Sequence, residues 1–122
     1  MITIGYIKGH GCPLEILQVE NSLETLQELV GGYIESVHVS KSLNGNYIDI
    51  IVNEEGRLLG LDVSAIIYAH DVIIADLCGP IIFTSHDETG ETVSLTNEQI
   101  DYLQQICVSQ ETMLGKLINI PY

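Results

Sequence analysis

The run YIESVHVSKSLNGNYIDIIVN, Tyr33 to Asn53, restricts the fold more than any other part of this chain. Asn44-Gly45 is a strong hairpin signal, because both residues accept the positive φ that a tight turn between twisted strands demands. Apolar and β-branched residues flank it, over Tyr33–Val39 and Tyr47–Asn53. Two antiparallel strands are expected, and the remaining elements must be arranged around them.

The N-terminus supplies a second hairpin. MITIGYI alternates and is rich in β-branched residues, KGHGCP breaks it, and LEILQVE (Leu14 to Glu20) alternates again. Asn21-Ser22 then opens a helix. Asn21 is the expected cap, Glu24 stands at the capping-box spacing, and Leu23, Leu26, Leu29 and Val30 form the apolar stripe. Gly31-Gly32 ends it, since a helix C-terminus favours a residue tolerant of positive φ.

Further along, DVSAIIYAH (Asp62 to His70) reads as a short helix capped by Asp62, although its β-branched content opposes that. DVIIADLCGPIIFTS carries two apolar runs split by Gly79-Pro80, the second expected as a central strand. HDETGE is a charged turn and TVSL a short strand. Thr96 caps a last helix with Gln99 at the capping-box position and Ile100, Leu103, Ile106 and Cys107 on its apolar face. Met113, Leu114, Leu117 and Ile118 suggest a further helical piece before Pro121. The pattern is α+β, one domain over residues 1–122, with a mostly antiparallel curved sheet that starts in an N-terminal hairpin and is packed by two to four helices.

Charge narrows the function. Seventeen acids face four bases, for a formal net charge of −13. Nucleic-acid binders neutralise phosphates with Lys and Arg, so direct nucleic-acid binding is not expected. The same shortage argues against anionic membranes, and the apolar runs are too short to span a bilayer. The acids serve solubility first; a surface that mimics nucleic acid and docks on a basic partner is the sharper alternative. Cys12, Cys78 and Cys107 are odd in number and widely spaced, which points to reduced thiols in a cytoplasm.

Several motifs fail on context. GHGCPL lacks the third glycine of a dinucleotide fingerprint, and an extended segment follows it. Asn53, Glu54 and Glu55 are consecutive, whereas a calcium loop needs oxygen ligands at fixed spacings. His10, His38, His70 and His86 show no paired metal-binding spacing; His10 and Cys12 would need remote ligands for zinc. His38 lies inside an expected strand, and the other histidines read as loop or surface residues. No nucleophile elbow or P-loop occurs. Cys78 lacks a basic neighbour to activate it, and Asp49 and Asp76 read as solvent-facing strand positions. No metal, cofactor or catalytic residue is expected, and the chain does not read as an enzyme.

NEEGRLLGL (Asn53 to Leu61) joins two acids, a glycine and the chain's only arginine to leucines. It reads as a tight turn, with Gly56 in the conformation other residues resist and Leu58, Leu59 and Leu61 returning to the core. Arg57 pairing with Glu54 or Glu55 is the simplest expectation.

NSLETLQELVGGYIESVHV, IDIIVNEEGRLLGLDVSAI and IIADLCGPIIFTS together resemble a small family catalogued as a domain of unknown function and found in bacteria, plasmids and bacteriophages. Its pattern runs LQ.LVGGYIE, NEEG with a basic residue and leucines, I.GP, then SLT.EQI. These match Leu26–Glu35, Asn53–Leu61, Ile74–Pro80 and Ser94–Ile100. A proline and an asparagine follow the leucines in that pattern; here the segment is DVSAI, so no ligand contact by that asparagine carries over. The resemblance implies an N-terminal hairpin and a helix on a curved sheet. It also implies a mobile-element setting, where small acidic proteins block host defence.

Two functions fit. One is non-catalytic capture of a small nucleotide-like molecule, as a homo-oligomer in the cytoplasm. Arg57, Asn53 and Glu55 are the candidate polar contacts, and Tyr33, Tyr47 and Tyr68 the candidate stacking residues. The other is an acidic module that binds and inhibits a host protein. The sequence locates no interface for it.

Overall fold

A computed structural model describes residues 1–43, 46–69, 71–113 and 115–121. Among these the order is β1 (Ile2–Ile7), β2 (Leu14–Val19), α1 (Leu23–Val30), β3 (Ile34–Leu43), β4 (Asn46–Asn53), β5 (Val63–Ala69), β6 (Val72–Cys78), β7 (Ile81–His86), β8 (Thr92–Val93), α2 (Asn97–Ile106), β9 (Ser109–Thr112) and β10 (Gly115–Pro121). The class is α+β with mostly antiparallel pairing. The strands divide between two sheets. The first runs β2-β1-β7-β4-β3 with β8 beside β7, and the second runs β6-β5-β10-β9.

Both expected hairpins form. β1 and β2 pair from Ile2↔Val19 to Ile7↔Leu14, and β3 and β4 pair from Ile34↔Asn53 to Leu43↔Asn46. The Asn44-Gly45 turn itself lies outside the described residues, as do His70 and Leu114. β7 is central as expected, flanked by β1 and β4.

Alternation assigns side chains to two cores. Ile48, Ile50 and Val52 of β4 and Ile81 and Phe83 of β7 face the second sheet, where they meet Ala65, Ile67, Ile118 and Ile120. Leu103 and Cys107 of the α2 segment close that layer. Ile51 and Ile82 point the other way, into a cluster with Ile4, Leu26 and Val30 under α1. A sheet buried on both faces needs near-continuous apolar strands, which explains IIFTS and IDIIV. At about 25 cal/mol per Å² of apolar area removed from water, these two layers are the main source of stability.

Local chemistry sets the helix ends. Ser22, one residue past the expected cap Asn21, caps α1: its Oγ accepts from Thr25 N at 3.2 Å. Asn21 instead donates to Thr92 O at 3.3 Å, tying the helix entry to β8. Leu23 falls outside the stripe and is exposed, while Leu26 and Val30 are buried. Gly31 closes the helix with φ 79°. The expected capping box of α2 is complete, with Gln99 N donating to Thr96 Oγ1 and Thr96 N to Gln99 Oε1.

Two expectations are overturned. Asp62–His70 is not a helix: Val63–Ala69 forms β5, with Ala65 and Ile67 buried and Ile66 and Tyr68 half-exposed, a period of two. The tail is not helical either. It forms β9 and β10, and Ile118–Pro121 pairs parallel to Ala65–Tyr68. That pairing joins segments about fifty residues apart, and it wins over local helix propensity because it buries Leu117, Ile118 and Ile120. None of the helices among the described residues is long and apolar enough to cross a membrane.

Candidate functional site

The Asn53–Leu61 stretch is more than a hairpin turn. β4 belongs to the first sheet and β5 to the second, so these residues carry the chain from one sheet to the other. Overlapping turns compact the segment: Gly56 N donates to Asn53 O, Leu59 N to Glu55 O, and Leu61 N to Gly56 O. Gly60, not Gly56, holds the positive φ, at 73°. Gly56 is required for a different reason. A Cβ there would lie 2.9 Å from the Cys78 carbonyl oxygen, closer than such atoms pack. Leu58 and Leu59 do not return to the core; they are 87% and 57% exposed.

Asn53 anchors the crossing. It is 5% exposed. Its Nδ2 donates to Val30 O at 3.0 Å, and its Oδ1 accepts from Glu55 N at 2.7 Å. One side chain therefore satisfies a carbonyl at the end of α1 and a donor in the turn, groups that would otherwise be unpaired. Both of its polar groups hold backbone partners, which makes Asn53 a positioning residue for the segment.

Arg57 does not pair with Glu54 or Glu55. Its Nη2 donates to Asp76 Oδ1 on β6. Glu54 N donates to Tyr33 O at 2.8 Å and Glu55 N to Asn53 Oδ1, which fixes the backbone of the turn while both residues stay exposed. The Arg57 side chain is 75% exposed. An ion pair that open is worth about 0–1 kcal/mol, so an incoming anion can displace it.

A groove of about 410 Å³ runs beside this pair. Its walls are β3 and β4 on one side and the Asp76–Cys78 end of β6 on the other, with Glu35, Glu54, Arg57 and Asp76 as its charged groups. Carboxylates outnumber the guanidinium. Such a lining accepts hydrogen bonds from hydroxyl and amino groups and offers one cation for an anionic group. Cys78 borders the groove with its thiol pKa raised, first by burial and then by the Asp76 charge, against the opposing pull of Arg57. It stays protonated near neutrality and is not an activated nucleophile.

The other expected contacts are scattered. Glu55 is exposed and joins the segment through its backbone. Tyr33 is exposed, and its carbonyl borders the turn through Glu54 N. Tyr68 lines a separate hollow of about 340 Å³ with Asp71 and Ile73. Tyr47 stands at the opposite end of β4 from Asn53, its ring stacked on His86 at 5.2 Å. Of the expected contacts, Asn53 and Arg57 line the groove, Glu55 and Tyr33 adjoin it only along the chain, and Tyr47 and Tyr68 lie apart.

Sequence reasoning missed Glu35, Glu54 and Asp76 as groove residues, and it missed a half-buried pair. Asp49 is not simply solvent-facing: His86 Nδ1 donates to its Oδ2 at 2.7 Å. The only signal for that pair was an acid inside an apolar strand. His10 Nδ1 donates to Val63 O at 2.7 Å, holding the first hairpin to β5. Among the described residues, no group of three or more His, Cys, Asp or Glu could hold a metal ion.

The profile of the family described as "Domain of unknown function (DUF3846)" matches residues 2–107. No curated protein and no solved structure matches the chain.

Proposed function

The chain belongs to the DUF3846 family, and on that premise we propose that it is a non-catalytic binding protein that captures a small nucleoside-type molecule carrying few phosphates. The observation that carries this reading is the groove of about 410 Å³ in which Arg57 stands beside Asp76, with Glu35 and Glu54 in the same lining. That volume suits a nucleotide-sized ligand. Ribose hydroxyls and a base amino group would donate to the carboxylates, and one phosphate would take Arg57 from Asp76. A polyphosphate fits poorly, because the groove acids and the net charge of −13 repel it.

In a mobile-element setting, capture of this kind removes a nucleotide signal from host defence in the host cytoplasm. The test is a melting-temperature screen of the purified protein with cyclic nucleotides and ADP-ribose-type molecules. A ligand that binds the folded state raises the melting temperature by mass action. Arg57→Ala should weaken the bound ligand roughly 10- to 100-fold while the fold survives, since a charge-assisted bond is worth about 1.5–3 kcal/mol. Asp76→Asn should strengthen it by releasing Arg57. The reading fails if no molecule shifts the melting point, or if Arg57→Ala binds as the wild type does.

A further inference from the structure

β6 is an edge strand, and nothing among the described residues pairs with its outer side. Its sequence is VIIADLC, with neither Lys nor Pro. Val72, Ile73 and Ile74 are 61%, 62% and 49% exposed. The register with β5 slips between Ile67 and Tyr68, which leaves Ile74 as an extra residue and puts Ile73 and Asp76 on the same outer face, opposite Tyr68 and Ile66. The other edges differ. β9 is SQET, polar and exposed throughout. β2 presents Glu15 and Gln18, and β3 presents Glu35 and Ser36. Proteins normally blunt an edge with charge, proline, short length or a bulge; β6 has a bulge at Ile74 and one acid, Asp76, and its Val72–Ile74 stretch is the apolar edge of the two sheets.

The surroundings of β6 are acidic. Glu35 and Glu54 lie across the groove, and Asp76 is on the strand. Asp71 precedes the strand beside a second hollow, and Asp62 is close enough to Cys78 to raise its pKa. Against these acids the groove sets one cation, Arg57, bonded to Asp76. A second copy of this chain would bring the same acids against these, which is unfavourable. A basic strand would find them complementary.

We propose that the β6 edge, Val72–Asp76, is a docking rail for an extended segment of a basic protein partner in which apolar residues alternate with Lys or Arg. Backbone hydrogen bonds to β6 supply affinity, and alternate side chains supply selectivity. Lys or Arg side chains of the incoming strand take the outer face, their aliphatic stems over Ile73 and Ile74 in the hollow of about 380 Å³ that Ile66, Arg57 and Asp76 also line, and its apolar side chains take the other face beside Val72. Its basic side chains face Asp71 and Asp76. This surface shares Arg57 and Asp76 with the groove, so the two readings are told apart by the direction in which Arg57 acts on each.

The probe is a capped synthetic peptide, Lys-Val repeated four times, titrated by fluorescence anisotropy, with hydrogen–deuterium exchange to map the contact. Binding should saturate and slow exchange across Val72–Asp76. It should weaken roughly tenfold between low and physiological salt, as a steered charge contact does. A Glu-Val repeat and a peptide with a central proline should not bind. Ile74→Lys, at an exposed position, should abolish binding without unfolding the chain. Arg57→Ala removes a cation from the hollow and frees Asp76, so it should strengthen peptide binding, the opposite of its expected effect on a nucleotide. The proposal is overturned if the peptide does not bind, if Ile74→Lys binds equally, or if protection maps away from β6. A dimer that Ile74→Lys dissolves would also overturn it, because a second copy would then be the occupant.

Discussion

Asp49 Oδ2 accepts a hydrogen bond from His86 Nδ1 at 2.7 Å, diagonally across the β4–β7 pair, with both side chains largely withdrawn from solvent. Tyr47 stacks on the imidazole and shields it further. The bond joins two strands whose other faces form the main core. Removing either partner leaves the other half-buried and unpaired. Asp49→Ala and His86→Ala should each destabilise the fold by about 1–3 kcal/mol in urea unfolding. The double mutant should lose less than the sum, with a coupling energy of about 1 kcal/mol. Strict additivity would show that the pair makes no net contribution.

Asn53→Ala should be more damaging than its position at a strand end suggests. The substitution orphans Val30 O at the end of α1 and Glu55 N in the sheet-crossing segment. Two unsatisfied groups cost about 2–4 kcal/mol together. Asn53→Asp should not rescue it, because a carboxylate cannot donate to the Val30 carbonyl. A loss below about 0.5 kcal/mol in denaturant titration would mean water replaces the side chain.

What was legible in the sequence was local. The Thr96–Gln99 capping box and the Gly31 terminus depend on residues three or four apart, and both are present. The β1–β2 and β3–β4 pairings follow from alternation. What failed depended on distant partners. β5 and β10 each pair antiparallel with a neighbour in sequence, β6 and β9, but what joins them in one sheet is their parallel pairing with each other across about fifty residues, a fact no window around Ile66 or Leu117 contains. Arg57 has acids beside it in sequence, yet its partner is Asp76 on the strand that closes the groove. The site is assembled from β3, β4 and β6, so the stretch around Asn53 marked its place but not its lining.

Gly56 and Gly60 should respond to substitution for opposite reasons. At Gly56 the backbone is ordinary and the space is taken, with Cys78 O 2.9 Å from where an added methyl would sit. At Gly60 the space is open but φ is 73°. Gly56→Ala should cost about 1–3 kcal/mol through overpacking against backbone, and Gly56→Asn should be worse. Gly60→Ala should cost about 1–2 kcal/mol through the left-handed conformation, and Gly60→Asn should recover part of that. Thermal melts of the four variants distinguish the two causes by whether asparagine helps or harms.

Cys107 makes the fold sensitive to alkali. Burial in the core beside α2 pushes its thiol up to about 12 from 9.0. Between those values the unfolded chain loses the proton while the folded chain keeps it. The unfolded state then binds fewer protons, so stability falls as pH rises through that window and is fully present below it. The limiting loss is on the order of 4 kcal/mol. Tyr6 adds to the same trend, since burial and Glu15 raise its hydroxyl from 10.0. Cys107→Val should therefore flatten the pH dependence of the unfolding free energy above about pH 9, whatever it does to stability at neutrality. Parallel wild-type and variant curves would show that the thiol ionises as readily in the folded protein as in the unfolded chain. Thiol reagents give a second reading. Cys107 should resist modification until the protein unfolds, while half-exposed Cys12 reacts in the native state.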